Sequence, residues 1–105
     1  MTFPEAVELF FVEREQKRML KESTVSRYRY MVRKYIQPQL GAAPLYTLTE
    51  ERVAAFYQRL QGQSLSPKSA RDVGVLLRAI LRTATKRGCF CTGVNAALPV
   101  WKKRQ

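Results

Sequence analysis

The stretch SPKSARDVGVLLRAILRTATKRG, residues 66–88, reads as one long amphipathic helix. Ser66 is its N-cap, and Pro67 stands at the first helical position, where a missing N–H costs nothing. Ala70, Val73, Leu77, Ile80, Leu81 and Ala84 recur at three- and four-residue intervals and form a face for a core. Gly88 suits the C-cap. The opposite face carries Lys68, Arg71, Arg78 and Arg82 at spacings of 3, 7 and 4, with Asp72 as its one acid. Ser64, Ser66 and Ser69 gather at the start, where hydroxyls and free backbone N–H groups suit phosphate. A helix this apolar on one side needs partners, and the upstream sequence supplies three.

Thr49 caps a third helix with Glu50 and Glu51 in its first turn, where the helix dipole favours acids. Val53, Phe56, Tyr57 and Leu60 form its buried side, and Gly62 stops it. Before it, Gly41 to Leu48 is a connector, with Leu45 and Leu48 tucked under the bundle. A second helix opens at Ser23 or Thr24. Val25, Tyr28, Met31, Val32, Tyr35 and Ile36 make its apolar stripe, and Pro38 and Gly41 end it. Arg27, Arg29, Tyr30, Arg33 and Lys34 occupy its other faces, and no acid lies between Glu22 and Glu50. The first helix opens with a capping box, Thr2-Phe3-Pro4-Glu5. It continues through Ala6, Val7, Phe10 and Phe11 and fades near Lys21. After Gly88 a short turn and a basic tail, Lys102-Lys103-Arg104, are expected. No strand pattern competes, so the fold class is all-α, a compact four-helix bundle.

Charge narrows the function. Nineteen Lys and Arg against eight Asp and Glu leave +11 on 105 residues, a surplus that seeks a polyanion. Residues 1–22 hold four basic groups against five Glu, net −1; residues 23–105 hold fifteen against three acids, net +12. The polyanion-binding surface is therefore expected on the later helices, with the first facing away.

Other classes fall. No apolar run approaches 18 residues, so no membrane span is expected, and the N-terminus lacks a signal-peptide pattern. The chain has no histidine, which removes a Ser-His triad and most zinc sites. Cys89 and Cys91 cannot complete four zinc ligands and read as buried structural thiols of a reducing, cytoplasmic protein. There is no phosphate-cradling glycine loop. No catalytic residue, metal or cofactor is expected.

The order of these features resembles the N-terminal core-binding, SAM-like domain of the tyrosine recombinases, the phage-integrase family. The resemblance rests on Thr2-Phe3-Pro4-Glu5 through Phe10, on Ser23-Thr24-Val25-Ser26-Arg27-Tyr28, and on Ile36, Pro38, Leu40-Gly41, Pro44-Leu45, Leu48-Thr49, Val53, Phe56 and Leu60. It continues in Leu65-Ser66-Pro67-Lys68-Ser69, Arg71, Arg78, Ala84 and Gly88. The family closes with Asn-Pro; here Asn95 precedes Ala96, and Pro99 follows later. The resemblance implies half of a C-shaped clamp. The second and fourth helices lie against the major groove, and a separate domain cuts the strand through a tyrosine. Tyr28, Tyr30, Tyr35, Tyr46 and Tyr57 are not that nucleophile.

The resulting expectations are specific. Residues 1–98 form the DNA-binding domain, and 99–105 begin a linker to a catalytic domain. The partner is double-stranded DNA at a recombination core site, and the full-length protein self-associates on it through the first helix, where Leu9, Phe10, Phe11, Val12 and Met19 are the candidates. The candidate DNA contacts are Thr24, Arg27, Tyr30 and Lys34 on the second helix and Ser66, Lys68, Ser69, Arg71 and Arg78 on the fourth. Most of these suit phosphate, with Lys68 and Arg71 placed for bases. Two other readings stay open: a helix-turn-helix transcription regulator using Gly62–Ser66 as its turn, and a basic bundle that meets an acidic protein.

Overall fold

The computed structural model describes residues 1–18, 21–61, 65–89 and 91–99. Met19, the helix stop at Gly62, Ser64, most of the Gly62–Ser66 turn and the basic tail lie outside the described residues. Among the described residues five α-helices occur in order: α1 (Phe3–Gln16), α2 (Glu22–Met31), α3 (Gln37–Leu40), α4 (Glu50–Gln61) and α5 (Pro67–Lys86). A π turn, Val32–Ile36, joins α2 to α3 without a break, so the two make the single second helix of the sequence reading. Short 3-10 turns at Leu45–Thr47 and Thr92–Asn95 complete the described elements. The all-α bundle is as expected.

The caps do their expected work. The Glu5 carboxylate accepts from the Thr2 N–H and from the Thr2 hydroxyl, both at 3.0 Å. Those bonds, the backbone one foremost, hold Glu5 below its usual carboxylate pKa. Thr49 Oγ1 accepts from the Arg52 N–H at 3.3 Å, and Ser66 Oγ from the Ser69 N–H at 3.2 Å. At the end of α5 the Cys89 N–H reaches Ala84 O and the Gly88 N–H reaches Thr85 O. Gly88 sits at φ 88°, the left-handed turn that this double bond requires and that glycine takes without penalty.

One core joins all the helices. Phe3, Phe10 and Phe11 of α1, Ile36 of the π turn, Val53, Phe56 and Leu60 of α4, and Val73, Leu77, Ile80 and Leu81 of α5 are each at most 2% exposed. Leu45 and Leu48 are buried beneath the connector, as expected. Phe10 and Phe11 stand edge to face, with centroids 5.3 Å apart.

Four expectations need correction. Pro38 does not end the second helix. It has no N–H to donate one turn back, and the Gln37 N–H reaches Val32 O, a turn one residue wider than the α-helical one. The widened turn carries the chain past Pro38, and Gly41 ends the helix. The first helix stops at Gln16, before Lys21, and Arg18 takes a left-handed φ of 51°. The second helix starts a residue earlier than expected, with Lys21 at the N-cap position and no side-chain cap, which places Ser23 and Thr24 inside its first turn. Finally, the segment after Gly88 is more than a turn and a tail. The Leu48 carbonyl accepts from both the Gly93 N–H (2.9 Å) and the Cys91 thiol (3.3 Å), and Cys91, Gly93 and Ala96 are buried. Burial pushes the Cys91 thiol pKa up, consistent with a structural role. Cys89 is only half-buried.

Gly93 lies so close to the start of α4 that a Cβ there would stand 2.5 Å from both Leu48 O and Val53 Cγ2. Gly93→Ala should therefore cost about 1–3 kcal/mol, the usual penalty for overpacking, measured as a fall in the urea midpoint. A shift inside experimental error would show that the 92–96 segment is not part of the cooperative fold.

Candidate nucleic-acid interface

The outward face of α5 is where the cations collect. Lys68 and Arg71 are exposed, and with Arg27 and Tyr28 from α2 and Phe10 and Arg14 from α1 they line a groove of about 430 Å³. One turn further along, Arg78, Arg82 and Lys86 face Glu13 and Arg14 of α1 and Lys17 just beyond it across a second groove of about 470 Å³. Three helices thus contribute to one basic surface. The expected exclusion of α1 from it is corrected: Arg14 borders both grooves and Lys17 the second. The net charge of −1 averaged over both sides of α1. Glu8 lies on its other side, paired with Arg29. The readable signal was spacing, since Arg14 and Lys17 follow Phe10 by four and seven residues.

Ion pairs organise the surface. Arg27 donates to the Asp72 carboxylate at 2.6 Å and ties α2 to α5. Glu13 receives Lys17 at 3.2 Å and Arg87 at 3.5 Å, which holds its carboxyl below the usual range, with the Lys17 hydrogen bond the largest cause. Arg29 pairs with Glu8 at 3.1 Å and lies over the Phe11 ring at 4.3 Å, so its contacts serve the fold. Lys68, Arg71 and Arg82 make no ion pair among the described residues.

The other candidates fall as follows. Lys34 donates to the Tyr30 hydroxyl at 2.9 Å, a bond that raises the Lys34 pKa. Tyr30 is 45% exposed, as expected. These two lie three and seven residues beyond Arg27 on the same helix, and neither lines the α5 grooves described above. Thr24 is half-buried in the first turn of α2. The Ser66 hydroxyl donates to Ser69 Oγ at 3.1 Å while accepting from the Ser69 N–H, so its capping role occupies it. Arg78 is half-buried, and its Nε has no hydrogen-bond partner among the described residues. The described residues contain no cluster of His, Cys, Asp and Glu that could hold a metal, and none of their helices is long and apolar enough to cross a membrane.

A family model, the phage integrase N-terminal SAM-like domain, matches residues 2–61. The chain belongs to that family. No curated protein and no solved structure gives a significant match. The matched segment runs from the α1 cap to the end of α4, so this integrase-type domain carries its longest helix, α5, beyond the match.

Behind the basic surface, burial pushes the Tyr57 hydroxyl of the integrase-type domain up to about 12, against an opposing pull from the Arg78 charge. The folded chain then keeps that proton at pH values where the unfolded chain, with tyrosine near 10.0, releases it. The contribution is present below pH 10 and is lost as pH rises toward 12. Between pH 9 and pH 11 the urea midpoint should fall further for the wild type than for Tyr57→Phe. Equal falls would place the Tyr57 hydroxyl in contact with water.

Proposed function

We propose that this domain binds double-stranded DNA and positions a recombination core site for a tyrosine recombinase of the integrase type. The observation that carries the reading is the meeting of Arg27 from α2 with Lys68 and Arg71 from α5 in one groove, on a chain of charge +11. Guanidinium and ammonium groups displayed this way suit phosphates along a duplex. Membership of the integrase N-terminal family supports the same conclusion. The candidate contacts remain Thr24, Arg27, Tyr30, Lys34, Ser66, Lys68, Ser69, Arg71 and Arg78, with Arg14 of α1 and Lys17 at its C-cap added. Ser66 acts there through its backbone and its cap.

In this reading residues 1–98 are the binding domain, 99–105 lead toward a catalytic domain, and strand cleavage belongs to that second domain. The full-length protein self-associates on DNA in a reducing cytoplasm. Phe10 and Phe11 belong to the core, which leaves the half-buried Leu9 and the exposed Val12 of α1 for a neighbouring protomer.

About five phosphate contacts should give a slope of about −4 to −5 for log K against log[salt], with duplex preferred over single strand. Arg71→Ala, at a position placed for a base contact, should cost about 1–3 kcal/mol on a preferred duplex and relax the preference at one base position. Fluorescence anisotropy on a labelled duplex reads both. Binding indifferent to salt, or tighter on single strands, would count against the proposal. Incubation of the 105-residue chain with a nicked or intact duplex should leave no denaturation-resistant adduct on a gel.

A further inference from the structure

Val75 occupies the midpoint of the α5 basic stripe. Lys68 and Arg71 precede it by seven and four residues; Arg78 and Arg82 follow by three and seven. It is 44% exposed and borders both grooves. A valine there contributes nothing to the core and has a lower helix propensity than the residues that usually fill exposed positions. Beside it, Asp72 puts a carboxylate on the same face, the one acid between Glu51 and the end of the chain.

From this pattern we infer that Val75 reads the C5-methyl group of thymine in the major groove. The inference rests on the proposed duplex binding and adds a specificity residue to it. Lys68 and Arg82 are fourteen positions apart, about 21 Å of helix, whereas the major groove is about 12 Å wide. A helix laid across that groove brings its cationic ends to the two flanking backbones and its middle to the base edges. The middle of α5 is apolar at Val75, and the Asp72 carboxylate beside it is neutralised by Arg27. An isopropyl side chain offers phosphate no hydrogen bond or charge, and the base-edge group it can contact favourably is the thymine methyl. The half-buried Ala79, which also borders both grooves, leaves room for that methyl beside Val75.

Selection supplies the duplex for the test. Binding sequences are enriched from a randomised duplex pool with the wild-type chain, and each thymine of the enriched duplex is then replaced singly by deoxyuridine. At one or two positions, loss of the methyl should weaken wild-type binding about fourfold, the worth of one buried methyl-sized group. Val75→Ala should bind the thymine and uracil duplexes alike at those positions. Alanine at an exposed helical site keeps the fold, which circular dichroism checks. Thymine and uracil bound equally by the wild type at every position would overturn the inference, as would an unchanged methyl dependence in Val75→Ala or a pool that enriches no sequence. Each of these leaves duplex binding intact. Absence of any duplex binding by the wild type would instead remove the proposed function, and this inference with it.

Discussion

Burial of α5 is the constraint on which the rest of this structure depends. Nine of its twenty residues, from Ala70 to Ala84, are buried. α1 packs along it, α4 lies against its other flank, and the 92–95 turn closes on it. Each large apolar side chain removed from water there stabilises the fold by about 1.5–3 kcal/mol. Charged groups cannot enter that interface without a heavy desolvation cost. The cations of α5 therefore share the one strip left open, and their clustering follows from the packing. The basic surface needs no further device to concentrate charge.

The ion pairs around this strip contribute little stability, since exposed pairs are worth at most about 1 kcal/mol. Their effect is geometric. Asp72 draws Arg27 to α5 and so fixes how α2 meets it, while Glu13 gathers Lys17 and Arg87 at the far end. Glu8 holds Arg29 against Phe11 on the other side of the bundle. The few acids thus divide the cations into those paired with a carboxylate and those, such as Lys68, Arg71 and Arg82, that make no ion pair among the described residues.

Much of the fold was legible because its determinants are local. Thr2 with Glu5, Thr49 with Arg52, and Ser66 with Ser69 act within three residues, and the apolar stripes of α1, α4 and α5 follow helical spacing. What escaped depends on distant partners or on backbone adjustment. The passage through Pro38 needs a widened turn at Val32–Ile36, which no residue type announces. The docking of Cys91 and Gly93 depends on the Leu48 carbonyl, more than forty residues away. At the candidate site, the stripe Lys68, Arg71, Arg78 and Arg82 was legible from periodicity. The place of Arg14 and Lys17 beside it was not, because segment charge ignores which side of a helix each residue occupies.

Family membership and surface chemistry bear on different faces of the same helix. The segment that matches the integrase family supplies Phe3, Phe10, Ile36, Leu48, Val53 and Phe56 to the core. Those side chains shape the cavity that the inner face of α5 must fill in volume and register, because a close-packed interior tolerates neither voids nor excess. Their influence ends where α5 turns to solvent. Lys68, Arg71, Asp72, Val75 and Arg82 fill no part of that cavity, so packing fixes where they stand and leaves open which side chains stand there. The core can therefore hold α5 at one angle while its outer stripe is free to vary. Asp72 is accounted for by Arg27 within the fold; the rest of the stripe, cationic at both ends with an exposed valine between them, is left to be explained by what it faces.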